Sequence, residues 1–217
     1  MRAVIFAAGD VPSPEAARRI LRPDDWILAA DGGARHCRAL GIRPAVVIGD
    51  LDSLSPEDAA TWRGDGTEIL AHPPRKDQTD LELAVHHAIR GGATAIVILG
   101  VFGGRWDHTL ANWMLSAYPS LPPIPLTFTD GQQRAWRIHG ETEVEGEPGD
   151  RVSLIPIGGD ALGVSTSGLE YPLDDETLRM GASLGVSNTL LERRARVSVR
   201  EGCVLLFVVP TQVGETG

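Results

Sequence analysis

Through the first half of the chain, short apolar runs alternate with stretches whose apolar residues recur at helical spacing. AVIFAA (3–8), WILAAD (26–31), AVVIGD (45–50), TEILAH (67–72) and AIVILG (95–100) read as strands. Runs this continuously apolar belong to strands covered on both faces. Between them, Ser13–Leu21, ARHCRAL (34–40), the segment opened by Ser55-Pro56, TDLELAVHHAIRGG (79–92) and DHTLANWMLSAY (107–118) read as helices. Ser55 is placed as an N-cap with Pro56 in the first turn. Leu81, Ala84, Val85 and Ala88 form one stripe before a glycine stop. The alternation predicts an α/β half, a Rossmann-like parallel sheet with helices on both faces.

The rhythm changes near Pro122-Pro123. Beyond it lie IPLTFTDG, QRAWRIHG, TEVEG, RVSLIPIGG, LGVSTSG, RARVSVREG and VLLFVVP, several alternating apolar with polar and separated by turn residues. This is the pattern of an all-β sandwich or barrel. The chain therefore divides between about 122 and 131, into 1–125 and 126–217, and TQVGETG at the end reads as a frayed tail.

Composition narrows the partners. A formal net charge of -9 over 217 residues argues against nucleic acid or an anionic membrane surface. The apolar run Ala3–Ala8 is too short for a signal segment, and no stretch approaches the roughly 20 apolar residues of a membrane span. Cys37 and Cys203 lack metal-ligand spacing, so two free thiols in a reducing cytoplasm are expected.

In an open parallel sheet, ligands sit beyond the carboxyl ends of the strands. Those ends read ADGGARH, GDLDS, RKDQTD and GVFGGRWDH for strands two to five. Asp31, Asp50, Asp52, Asp77, Asp80 and Asp107 are thus expected along one edge, beside Arg75, Lys76 and Arg105. Glycines 32–33 and 103–104 would let backbone amides approach an anion. On an extended segment Asp50 and Asp52 point to the same side. Two carboxylates that close need a cation between them, or one must take a proton. Oxygen-only ligands suit Mg²⁺ better than zinc. Each motif alone also has a plain structural reading. DGG makes a turn, Thr79 caps a helix with Asp80 in its first turn, Trp106 packs, and the histidines at 36, 72, 86, 87 and 139 serve structure. Their joint placement at one sheet edge points instead to a metal and phosphate site.

Taken in order, DGG, GDLDS, KDQTDLE, GGRWDH, SLIP, SGLEYPL and GVSN resemble the thiamine pyrophosphokinase (thiamine diphosphokinase) family over about residues 4–209. The resemblance implies a nucleotide- and Mg²⁺-binding α/β domain, a thiamine-binding β-sandwich, and a homodimer with active sites between subunits. It also implies the reaction, in which ATP and thiamine give AMP and thiamine diphosphate. By the same resemblance, Asp50, Asp52 and Asp80 serve catalysis at the magnesium site, with Asp31 as a further ligand. Lys76, Gln78, Thr79, Arg105, Asp107 and His108 match segments lining the nucleotide. Ser187 and Asn188 match the segment holding the thiamine pyrimidine, and Tyr171 falls where an aromatic ring would stack on the thiazolium cation.

Three rival readings stand beside it. A haloacid-dehalogenase-type phosphatase also ends an apolar strand in D-x-D, but on its first strand, and it has a second, late acidic pair absent here. A pyrophosphokinase for another alcohol, such as a hydroxymethyl pterin, would share the N-terminal motifs but not SGLEYPL and GVSN. A nucleotide-binding regulator without activity would have little use for so many carboxylates.

Overall fold

The computed structural model describes residues 1–103 and 105–211. Gly104 and the C-terminal residues 212–217, including most of the expected tail, lie outside the described residues. By its internal contacts the chain forms two compact units. One holds Met1–Asn112 and Pro123–Gly131, the other Trp113–Pro122 and the chain from Gln132 on. The division read at 125/126 falls inside this interleaved stretch.

The first unit is built on β1 (Arg2–Phe6), β2 (Trp26–Ala30), β3 (Val46–Gly49), β4 (Glu68–Ala71), β5 (Ala95–Leu99) and β6 (Leu126–Thr129). They lie in the order β6-β5-β1-β2-β3-β4, and each pair runs parallel. Sequence periodicity groups β6 with the later strands. Its parallel pairing with β5 places it in this sheet, a choice of partner that local pattern does not encode.

Three short helices, α1 (Pro14–Ile20), α2 (Ala34–Ala39) and α3 (Pro56–Gly64), give Ala17, Cys37 and Trp62 to one apolar cluster. Val4, Phe6, Ala29, Val47, Val97 and Leu99 of the sheet supply the rest of it. Burial pushes the Cys37 thiol up to about 12, so it is a small apolar side chain here. The longer α4 (Asp80–Arg90) packs against β1, β2 and β3, burying Leu81, Ala84, Val85 and Ala88. Helix starts follow the expected chemistry. Ser55 Oγ accepts the Asp58 N–H at 3.0 Å, and Thr79 Oγ1 accepts the Glu82 N–H at 3.2 Å. A further helix, α5, covers Trp106–Leu115.

In the second unit β7 (Arg134–Glu145) pairs antiparallel with β12 (Arg194–Val209). The sequence reads each of these as two strands with a turn between. Both instead run through a glycine with positive φ, Gly140 at 73° and Gly202 at 93°. The β7–β12 register shifts between Val199 and Val204, so the apparent turn is a bulge that bends a continuous strand. Before the shift β12 pairs with β9 (Ala161–Ser167), and after it with β8 (Arg151–Pro156). β10 (Glu176–Leu178) flanks β9, and β11 (Asn188–Thr189) flanks β8. Val144, Val152, Leu154, Val164, Val197 and Leu206 are among the side chains of its own core. Among the described residues, no helix is long and apolar enough to cross a membrane. Cys37 and Cys203 are both free.

Candidate active site

The carboxyl ends of the parallel strands open into a cavity of about 770 Å³. Asp31, Asp50, Asp52 and Asp80 line it, with Lys76, Gln78, Thr79, Arg105 and His108. Asp77, Arg75 and Asp107 do not. Asp107 is exposed and pairs with Arg105 at 2.5 Å, and that guanidinium holds its carboxyl down at about 2.

How the aspartates converge differs from the expectation. β3 ends at Gly49, and Leu51 adopts φ +64°, so Asp50 and Asp52 are not two apart on an extended strand. A leucine in the left-handed region is unfavourable by itself. Here the turn returns Leu51 to the apolar cluster shared by sheet and helices and leaves both flanking carboxylates at the cavity. The Asp52 N–H donates to Asp50 Oδ1 at 3.2 Å, which ties the turn. Asp31 is also left-handed, with φ +41°, where β2 breaks into the single 3₁₀ turn Asp31–Gly33. Gly49 allows the approach, since a Cβ there would lie 2.7 Å from the Asp31 Cβ. Gly33 has a packing reason of its own. A Cβ on it would lie 1.9 Å from the Phe6 carbonyl oxygen.

Carboxylate oxygens of Asp31, Asp50 and Asp52 all lie within 4.8 Å of one another. Asp31 is buried, and its Oδ1 has no hydrogen-bond partner. Burial pushes its carboxyl above the ordinary range. The Ser53 hydroxyl and Gly32 backbone oppose that rise, while the charges of Asp80 and Asp52 add to it. Asp80 stands outside this group of three. Lys76 Nζ lies 2.7 Å from Asp80 Oδ1, an ion pair without hydrogen-bond alignment. Gln78 donates to Glu82 at 3.1 Å and Thr79 caps α4, so both also serve the start of that helix.

Two cavity residues were missed from the sequence. Asp10 follows β1, where its N–H donates to the Phe102 carbonyl at 2.5 Å. Arg35 reaches across from α2 to the carbonyls of Ala8 and Gly9, the latter at 3.1 Å. The strand-end rule applied to β1 as well would have found Asp10. Arg35 carried no signal, since one arginine in a short helix is ordinary.

The remaining predicted residues gather in the second unit. Tyr171 is 64% exposed, while Asn188 is buried behind it. Asn188 Oδ1 accepts the N–H groups of Tyr171 (3.0 Å) and Thr189 (2.9 Å), and Nδ2 donates to the Tyr171 carbonyl at 2.7 Å. Ser187 is exposed, with φ +61°, and its N–H donates to Ser153 Oγ at 3.0 Å.

Comparison with known proteins covers both units. A family model described as thiamin pyrophosphokinase, catalytic domain, matches residues 17–124. Another, described as thiamin pyrophosphokinase, vitamin B1 binding domain, matches 137–204. Thiamine pyrophosphokinase of Bacillus subtilis (strain 168) is 30% identical over 184 residues, covering 84% of this chain and 86% of that protein. Thiamine pyrophosphokinase 3 of Oryza sativa subsp. japonica is 30% identical over 179 residues, covering 77% of this chain and 66% of that protein. The crystal structure of the Bacillus subtilis enzyme superposes with a TM-score of 0.86 at 25% identity, covering 97% of this chain and 99% of that one. That of thiamin pyrophosphokinase from Geobacillus thermodenitrificans gives 0.82 at 26%, covering 96% and 97%.

Proposed function

The chain belongs to the thiamine pyrophosphokinase family, and we propose that the acidic cavity of its first unit and the Tyr171 region of its second carry that activity. It transfers the pyrophosphoryl group of ATP to the hydroxyl of thiamine, giving thiamine diphosphate and AMP. The observation that carries the site assignment is the convergence of Asp31, Asp50 and Asp52 within 4.8 Å in one cavity, with Lys76 and Arg105 on its wall.

Two features of that group fit Mg²⁺. All the donors are carboxylate oxygens, and Asp31 Oδ1 is buried without a partner. Asp31, Asp50 and Asp52 would hold the ion, with Asp80 beside them. Magnesium bound there supplies charge neutralisation at the phosphates. The chain's own part is positioning and charge. Lys76 offers a point charge to phosphate oxygens, and Arg105 a planar fork able to bind two of them. Gln78, Thr79 and His108 line the same wall, and Asp107 restrains Arg105 from outside the cavity. On the second unit, the exposed Tyr171 ring provides a face for the thiazolium cation and the Ser187 hydroxyl a partner for the aminopyrimidine.

This reading treats the first unit as Rossmann-like, which its parallel register supports. It treats the second as a β-sandwich, which the change of partner along β12 supports. It also makes the working enzyme a homodimer. Exposed apolar side chains on the second unit, Ile155, Leu184 and Val186, support that step. A fully active monomer in sedimentation at micromolar concentration would overturn the dimer. The test of the function is release of AMP from ATP with magnesium, with and without thiamine. Thiamine-dependent AMP release is expected. AMP release that ignores thiamine, or release of inorganic phosphate alone, would overturn the reading.

A further inference from the structure

Around Tyr171 the chain folds into a short antiparallel ladder. Leu169 bridges Leu190, and the Glu170 N–H donates to the Thr189 carbonyl at 2.9 Å. Counting outward from that bridge puts Tyr171 opposite Asn188. Backbone pairing stops there, because Ser187 turns left-handed and its N–H goes to Ser153. The Tyr171 N–H and carbonyl would be left without backbone partners, yet both are bonded. The Asn188 side chain replaces the missing peptide, accepting from the Tyr171 N–H at 3.0 Å and donating to its carbonyl at 2.7 Å. A carboxamide carries the donor and acceptor of a peptide group in nearly the same geometry, so it can continue a ladder that the main chain has left. A third bond, from the Thr189 N–H at 2.9 Å, holds the carboxamide in place.

The consequence concerns the ring. Tyr171 is 64% exposed, but the backbone that carries it is held from behind by a side chain that is 7% exposed. An exposed aromatic on a loose loop must be ordered when a ligand arrives, and that ordering weakens binding. Here the backbone part of that ordering is already in place. Asn188 Oδ1 already accepts two bonds, so the residue has little left to offer a substrate directly.

We propose that Asn188 is a positioning residue for thiamine. It acts through Tyr171, fixing the backbone from which the ring meets the thiazolium, and does not itself hold the pyrimidine. The proposal rests on the reading that Tyr171 faces thiamine.

A double-mutant cycle on the full-length enzyme separates this role from direct contact. Asn188→Ala should raise the thiamine KM about 3- to 30-fold, with kcat and the ATP KM within about twofold of wild type. Tyr171→Ala should have a similar effect. The double variant should be no worse than Tyr171→Ala by more than about twofold, because Asn188 then has no ring to position. Hydrogen exchange at the Tyr171 amide should speed up in Asn188→Ala. Asn188→Asp keeps the two bonds accepted by Oδ1 but replaces the donor to the Tyr171 carbonyl with a charged oxygen that repels it. It carries the same cycle if the alanine variant does not fold. Multiplying effects in the double variant would overturn the proposal and return Asn188 to direct contact, leaving the family activity untouched. If Tyr171→Ala leaves the thiamine KM unchanged in an active enzyme, the stacking role fails and the proposal with it.

Discussion

Asp31 and Asn188 are equally buried, at 7% exposure each, but they meet opposite fates. In the second unit Asn188 makes three hydrogen bonds, and they close a gap in a strand ladder. In the first unit Asp31 sits left-handed at a strand end, with a buried oxygen that nothing bonds and a carboxyl that burial pushes up. A buried polar group that finds its partners inside the protein stabilises it. One left unpaired destabilises the protein until something else arrives to pair it. The difference teaches where to look for ligands. In our proposal Asn188 is finished structure and Asp31 an unfinished site.

The largest expected effect lies at the unfinished site. Asp52→Asn should keep the fold and lower turnover by at least about 100-fold, since losing one charged ligand removes several kcal/mol of transition-state stabilisation. Near-normal turnover in a folded variant would break the reading of Asp31, Asp50 and Asp52 as a metal group.

Next comes the stability of the finished structure. Asn188→Ala leaves the Tyr171 N–H and carbonyl without partners, a loss of about 2–3 kcal/mol. The thermal midpoint should fall by roughly 4–12 °C on that basis. A midpoint unchanged in a scanning melt would mean that the carboxamide bonds count for little.

Smaller changes test the surface that Asn188 supports. Ser187→Ala and Tyr171→Ala should each raise the thiamine KM about 3- to 30-fold while the ATP KM hardly moves. The reverse pattern in steady-state kinetics would exchange the roles assigned to the two units.

The smallest effect has the opposite sign to the Asn188 result, and it sharpens the contrast most. In metal-free protein with chelator, Asp31→Asn should raise the thermal midpoint at neutral pH by a few degrees at most. The folded Asp31 carboxyl holds its proton to higher pH than the unfolded one, whose ordinary value is 3.8. Ionising it therefore costs stability as pH rises from that value through the folded one, and above that window the loss is complete. The gain from the substitution should accordingly shrink as pH falls toward 4. Added magnesium should raise the midpoint of wild type and have less effect on the variant. A variant less stable than wild type in chelator would show that Asp31 is as well satisfied as Asn188.

Much of this molecule was legible along the chain because the deciding interactions are local. Ser55 and Thr79 cap the helices they precede, the strands of the first sheet carry the expected apolar runs, and the strand-end motifs bring Asp31, Lys76, Asp80 and Arg105 to one cavity. A parallel sheet brings the carboxyl ends of its strands to one edge. What only the tertiary structure decided are choices among distant partners. Leu51 turns left-handed because its side chain packs on a cluster drawn from several strands and helices, and that turn, not strand alternation, aims Asp50 and Asp52. Gly140 and Gly202 read as turns but bend continuous strands, because both flanks find the same neighbouring strand. Asn188 carries in the sequence no sign of its pairing with Tyr171, 17 residues away. Backbone propensity and capping act within a few residues and can be read from spacing. Which strand, side chain or peptide group meets which depends on the folded core, where a single partner satisfies each group and the sequence alone names many.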